Sequence, residues 1–366
     1  MKVLVVAGAR PNFMKVAPVL QALERAGHQR IFVHTGQHYD ASMSDAFFRD
    51  LGLPIPDKHL GVGSGSHARQ TARVMEAFEP VLQETRPDWV VVVGDVNSTL
   101  ACALVASKLR QAQGCRIAHV EAGLRSNDWD MPEEVNRVLT DRLSDLLLTP
   151  SHDAEPNLRR EGIDPARIVF VGNVMIDSLL HMLPRAQALK VPHSLGVSET
   201  PYAVSTLHRP SNVDDRDQLA VILTAFGELA REIPILLPMH PRTRDRVRSF
   251  GLEALLEPLR IMAPLGYTEM LGLQSHASVV LTDSGGIQEE STVLGVPCVT
   301  LRESTERPVT VTEGTNRLAP WPLTTAGILA SAREAMARGR VAVGSQAPEG
   351  WDGHTGDRIV TALATR

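Results

Sequence analysis

The chain has 366 residues, 43% of them hydrophobic, and a formal net charge of −5. It has material for two packed cores but no basic surface to hold nucleic acid or anionic lipid through bulk charge. Cys102, Cys115 and Cys298 make no paired or CxxC spacing, which argues against a disulfide framework or a zinc site and fits a reducing cytoplasm. No run reaches about 18 apolar residues, and the apolar start meets glycine and arginine too soon for a signal segment, so a soluble, unprocessed protein is expected.

Residues 3–7 have the apolar, β-branched content of a buried strand, and the chain runs on through a glycine turn into an amphipathic helix ending near Gly27. Arg10 and Lys15 fall at the strand's C-terminal edge and in the early helix, where cations oppose the helix dipole; that placement suggests an anionic ligand. A second strand, residues 30–35, leads into Gly36-Gln37-His38 and a helix through Phe47, Phe48 and Leu51. The glycine-rich stretch 61–71 follows no convincing strand and lacks the lysine of a P-loop. Residues 89–94 form the clearest buried strand, and Asp95 stands at its C-terminal end, as a helix cap or as a charge over a ligand cleft. Strand 116–120 delivers Glu121 into a polar loop, after which Pro132 opens a helix with Glu133 and Glu134 in its first turn. Glu133 and Arg137 share a helical face, which a surface ion pair explains; Glu121 at a strand exit is not explained that way. Strands 146–149 and 167–172 bring the first parallel sheet to six strands.

A Pro- and Gly-dotted stretch reaching to Pro201 reads as the interdomain connection. It gives an N-terminal domain of residues 1–171 and a C-terminal domain of residues 172–352, with a helical tail at about 353–366 that returns to the first. The second half restarts the alternation: strand 202–206 ends before His208-Arg209, and strand 233–238 before His240, Arg242 and Arg244. Histidines beside arginines at consecutive strand ends point to function. After strand 260–262 and helix 268–276 comes SVVLTDSGGIQEE, a buried strand that turns through Ser284-Gly285-Gly286 into a helix. Such a turn leaves backbone N–H groups and the positive dipole end outward with no Cβ to block a phosphate, which makes an anion cradle. Glu289 and Glu290, further along, are placed for sugar hydroxyls. Strand 296–301 and the stretch 302–316 close the second sheet, and open parallel sheets of this kind bind ligands beyond the strands' C-terminal ends.

GARPNFMK, GDVNSTLA, HVEAGLR, MPEEVNR, TLHRPSNVD, DSGGIQEE and TERP, in this order from residue 8 to 308, resemble the non-hydrolysing UDP-N-acetylglucosamine 2-epimerases over nearly the full chain. The resemblance implies an α/β fold of two Rossmann-like parallel-sheet domains, GT-B-like, with the active site in the interdomain cleft. It also implies a cytoplasmic homodimer serving polysaccharide synthesis, with no cofactor and no metal. The implied reaction interconverts UDP-GlcNAc and UDP-ManNAc: UDP leaves C1 as the C2 proton is removed, giving 2-acetamidoglucal, and re-addition inverts C2. By the same resemblance Asp95, Glu121 and Glu133 match the catalytic carboxylates and His208 the catalytic histidine. Arg10, Lys15, Arg137 and His240 match positions that contact the ligand, and Ser284, Gly285, Gly286, Glu290 and Arg307 match the UDP site.

The chain departs from that pattern in several places. Asn12 stands where many bacterial members have glutamate, the loop between Glu121 and Glu133 is slightly shorter than in some relatives, and Met270 replaces an aromatic near the nucleotide. Where members activated by UDP-GlcNAc carry a glutamine-rich loop and an Arg-Gln pair, this chain has Gln37-His38-Tyr39-Asp40 and Ser64-Gly65, with Arg69-Gln70 a few residues on. Losing a bidentate arginine and gaining an aspartate predict weak or absent activation. Competing functions are a GT-B glycosyltransferase, a hydrolysing 2-epimerase, a 2-epimerase of a related UDP-sugar, and a silent nucleotide-sugar sensor.

Overall fold

The computed structural model describes residues 1–37, 48 and 51–366; most of the helix expected before Leu51, and positions 38–40 of the regulatory comparison, lie outside the described residues. The chain folds into two compact units, Met1–His181 with Glu349–Arg366, and Met182–Pro348. The division falls inside helix Val174–Ala188 rather than at residue 171. A continuous helix carries no turn signal, so composition placed the change at the glycine before it.

The first unit holds β1 (Lys2–Ala7), β2 (Gln29–His34), β3 (Lys58–His59), β4 (Trp89–Val93), β5 (Arg116–Val120), β6 (Leu146–Thr149) and β7 (Ile168–Phe170). They form a seven-stranded sheet in the order β3-β2-β1-β4-β5-β6-β7, parallel throughout. A parallel sheet covered on both faces needs strands apolar on both sides, and every residue of β4 is buried. β3 was not expected because it is a two-residue edge strand without an apolar side chain. Val74, Phe78 and Leu82 of helix His67–Thr85 and Ala101 and Ala106 of helix Asn97–Gln113 pack on Leu4, Val6, Val90 and Val92. Each of the larger side chains contributes about 1.5–3 kcal/mol of burial. The tail helix Thr355–Ala364 buries Ile359, Val360 and Leu363, and the Trp89 indole N–H donates to the Leu363 carbonyl at 3.1 Å.

The second unit holds β8 (Ala203–Thr206), β9 (Ile235–Pro238), β10 (Arg260–Met262), β11 (Val279–Thr282), β12 (Cys298–Thr300) and β13 (Asn316–Leu318). Their order is β10-β9-β8-β11-β12-β13, again parallel. The closing strand β13 begins at Asn316, where the stretch 302–316 ends. In each sheet the strand order reverses once, between β1 and β4 and between β8 and β11. Arg10, Lys15, Asp95, His208 and Ser284 to Gly286 follow those strands, at the points where open sheets leave a crevice for ligands, while Glu121 and His240 follow the neighbouring β5 and β9. Among the described residues no helix is long and apolar enough to cross a membrane.

Candidate active site

In the first unit Arg10 opens helix Arg10–Arg25 directly after β1. Asn12 accepts from the backbone N–H groups of Gly8 (3.2 Å) and Ala9 (3.1 Å) and donates to the Val93 carbonyl (3.3 Å). It thus pins the β1 turn to the end of β4, and an amide can do all three where a carboxylate could only accept. Lys15 is buried and ion-paired with Glu121, so the cation expected to seek an anionic ligand already faces a protein carboxylate. Gly94 has φ +62°, and a Cβ there would stand 2.8 Å from the Lys15 Nζ and 3.3 Å from a Glu121 oxygen. Glu121 itself has φ +71°, in the left-handed region that a non-glycine residue seldom occupies.

Asp95 meets the Arg137 guanidinium at 2.6 Å, and Arg137 also holds Glu134 at 2.6 Å. Glu134 in turn accepts from the backbone N–H groups of Ser126 and Asn127, at 3.0 and 2.9 Å, tying down the loop between Glu121 and Glu133. Asn136 donates to the Asp95 carbonyl at 2.8 Å. Arg137 is therefore a buried bridge and not the outer half of a surface pair with Glu133, which is only half-buried. The buried face of helix Pro132–Leu143 is polar because it supports loops rather than a core.

In the second unit the His208 Nδ1 lies 2.8 Å from Asp283, whose side chain is fully buried while that of His208 remains 46% exposed. Asp283 also accepts from the backbone N–H of His208 and of Arg209, both at 3.0 Å, and from the Asn212 amide at 3.2 Å. Burial alone would raise the Asp283 carboxyl; the His208 ring and the backbone donors more than offset that and hold it below the ordinary carboxylate value. With Nδ1 committed to Asp283, the His208 Nε2 is the nitrogen left for chemistry. His240 caps helix Pro241–Ser249 through its own Nδ1, 3.3 Å from the Arg242 N–H.

Ser284 is the N-cap of helix Gly285–Leu294, and its side chain makes no cap hydrogen bond. A Cβ on Gly285 would lie 2.7 Å from an Arg307 nitrogen, so glycine lets the guanidinium close over the helix start. Arg307 pairs with Glu289 at 2.9 Å. Glu306, buried among Arg302, Arg307 and Arg209, is held well below the carboxylate range by them in spite of its burial. Backbone donors, a dipole end and arginine together suit a diphosphate. Glu290 is buried; that burial pushes its carboxyl up to about 8, the Tyr267 hydroxyl opposing and the Glu289 charge adding to the rise. Among the described residues no group of His, Cys, Asp and Glu is placed to hold a metal ion.

Sequence reasoning missed Asp283, Glu134 and Asn136. Asp283 shared the strand-end position that singled out Asp95 and Glu121, and that signal was available. Glu134 and Asn136 flank the residues chosen, and only the rotation of the helix tells them apart.

The model of the UDP-N-acetylglucosamine 2-epimerase family matches residues 21–364. A protein of Methanocaldococcus jannaschii named UDP-N-acetylglucosamine 2-epimerase is 43% identical over 326 residues, 87% of this chain and 88% of that one. A Pseudomonas aeruginosa protein named UDP-2,3-diacetamido-2,3-dideoxy-D-glucuronate 2-epimerase is 45% identical over 322 residues, again 87% and 88%. The crystal structure of the M. jannaschii UDP-GlcNAc 2-epimerase in complex with UDP-GlcNAc and UDP superposes with a TM-score of 0.88 at 40% identity, covering 100% of both chains. The two parallel-sheet domains are GT-B-like, as in that relative.

Proposed function

We propose, for a chain that belongs to the UDP-N-acetylglucosamine 2-epimerase family, that it reversibly inverts C2 of UDP-GlcNAc to give UDP-ManNAc, keeping the nucleotide throughout. The observation that carries this is the division of chemistry between the units. The second supplies an anion cradle at Ser284, Gly285 and Gly286 under Arg307, with His208 oriented by the adjacent Asp283. The first supplies carboxylates on the turns after β4 and β5 and at the start of helix Pro132–Leu143.

Removal of the C2 proton with departure of UDP from C1 gives 2-acetamidoglucal, and re-addition with protonation from the opposite face gives the epimer. Each direction needs a general acid or base on either face of C2, for which Asp95, Glu121 and Glu133 are the candidates. The cradle, with Arg10, Lys15, Arg137 and His240 as further ligand contacts, stabilises the charge on the leaving diphosphate. His208 offers its Nε2 beside the cradle, and Glu290 takes the ribose hydroxyls. A homodimer, a cytoplasmic location and service to polysaccharide synthesis belong to the same proposal.

UDP-ManNAc supplied alone, with no acceptor and no trace of UDP-GlcNAc, is expected to convert to UDP-GlcNAc without a lag. Release of free N-acetylmannosamine would establish a hydrolase, and no reaction until an acceptor is added would establish a transferase. One observation favours a second substrate: relatives named for UDP-GlcNAc and for a diacetamido-glucuronate are about equally identical to this chain. The diacetamido-glucuronate offered in parallel decides between them by the ratio of kcat/KM values.

A further inference from the structure

His119 and Asp141 are fully buried, and the mechanism above uses neither. The His119 Nδ1 lies 2.6 Å from one Asp141 oxygen, and its Nε2 lies 2.8 Å from the Gly94 carbonyl oxygen. A carbonyl only accepts. Asp141 is also an acceptor: its other oxygen takes the Gly123 N–H at 3.1 Å and the Arg125 guanidinium at 2.7 Å. Burial works against the Asp141 charge, but His119 and Arg125 hold its carboxyl below the ordinary value. Each ring nitrogen of His119 thus faces an oxygen, Nδ1 that of a side-chain carboxyl and Nε2 that of a backbone carbonyl to which it can only donate. Arg125 is clamped from behind by Glu161, at 2.7 and 2.8 Å.

The contacts of this pair are specific. Gly94 immediately precedes Asp95, and its N–H also bonds the Val120 carbonyl at 3.0 Å. Gly123 closes the turn on which Glu121 sits with φ +71°. One buried carboxylate thus fixes the Glu121 turn directly and the Asp95 turn through the His119 ring. It projects from helix Pro132–Leu143, which also carries Glu133 and Arg137. A buried ion pair is a poor source of stability compared with apolar packing of the same volume. What it does supply is a fixed distance between two turns.

We propose that His119 and Asp141 are positioning residues for the epimerisation, a buried histidine–aspartate pin that sets the spacing of the Asp95 and Glu121 carboxylates about C2. It presupposes the epimerase function proposed above. Neither side chain reaches substrate; they act through the backbone of Gly94 and Gly123. Misplacement of a reacting group by roughly 1 Å is enough to lose about a hundredfold in rate.

Conservative variants separate the two arms. Gln at 119 places an N–H near the Nε2 position and keeps the Gly94 bond; Asn places one near Nδ1, keeps the Asp141 bond and leaves Gly94 without its donor. His119→Asn, His119→Gln and Asp141→Asn each break the link from Asp141 to Gly94 and are each expected to lower kcat by roughly 10–100-fold with KM for UDP-GlcNAc within about threefold. Wild-type kcat in any of them, or a loss confined to KM, would overturn the proposal. If one of the three does not fold, the other two carry the same test. Nitrogen-15 spectra of histidine-labelled wild-type protein give a readout independent of turnover: a protected ring N–H signal that vanishes in His119→Gln is expected, and its absence from the wild type would overturn the pin. Wild-type protein that shows this signal yet interconverts no UDP-sugar would refute the epimerase function and leave the pin's geometry standing.

Discussion

Glu121→Gln is expected to lower turnover at least about a hundredfold while the protein stays folded and still binds UDP. Three features of the position support an effect of that size. The backbone is held at φ +71°, a cost that persists only where surrounding structure fixes it. The carboxylate is buried against Lys15 rather than solvated. Gly94, where any Cβ would crowd both charges, is open at that point. The amide keeps the volume and removes the charge and the proton-accepting capacity. Asp95→Asn, Glu133→Gln and His208→Asn are expected to lose turnover by a similar factor. Near-normal activity in any one removes that residue from the chemistry. Glu134 provides the internal contrast: Glu134→Gln should loosen the loop at Ser126 and Asn127 and lower thermal stability, since its oxygens are committed to Arg137 and backbone N–H groups.

Glu290→Gln is expected to stabilise the protein at pH 8 and, in the same variant, to weaken UDP binding at least about tenfold, roughly 1.4 kcal/mol. Burial pushes the Glu290 carboxyl up to about 8 from an ordinary value of 4.5. A carboxyl raised on folding contributes stability that is fully present below its unfolded value and is lost as pH rises through the folded one. Across pH 4.5 to 8 the wild type therefore gives up stability at this site, and the neutral glutamine does not. The difference in Tm between variant and wild type should be largest at pH 8 and shrink toward pH 5. Ribose hydroxyls are good donors to a buried carboxylate, so the same substitution removes the contact for which the destabilised charge is retained. A Tm difference independent of pH, or unchanged UDP affinity, would detach Glu290 from this role.

What could be read from sequence was whatever a local pattern encodes. The run at 89–93 is a buried strand because a covered parallel sheet demands apolar residues on both faces, and the turn from strand to helix at DSGG follows from glycine stereochemistry, while its reading as an anion cradle rests on its position late in a second α/β half. β3 escaped because two residues at a sheet edge carry no period. The four-residue spacing of Glu133 and Arg137 puts them on one helical face, but three-residue spacing brings Glu134 to Arg137 as well, and the tertiary contacts with Asp95 and the loop at Ser126 select Glu134. Asp283 and His208 meet across neighbouring strands, and His119 reaches Asp141 from a strand to a helix, so neither pair has any sequence spacing to betray it. Asn12 differs from the family pattern and still has a clear task, since its amide joins two turns that a glutamate could not bridge in the same way.

Incubation of the wild-type protein with UDP-GlcNAc in deuterium oxide shows whether the C2–H bond is broken and remade while the nucleotide is retained. Deuterium at C2 in the UDP-ManNAc product is expected, with both UDP-sugars intact at equilibrium. Epimerised product that carries only protium at C2 would rule this chemistry out, because inversion would then have proceeded without exchange of that proton with a carboxylate of the site.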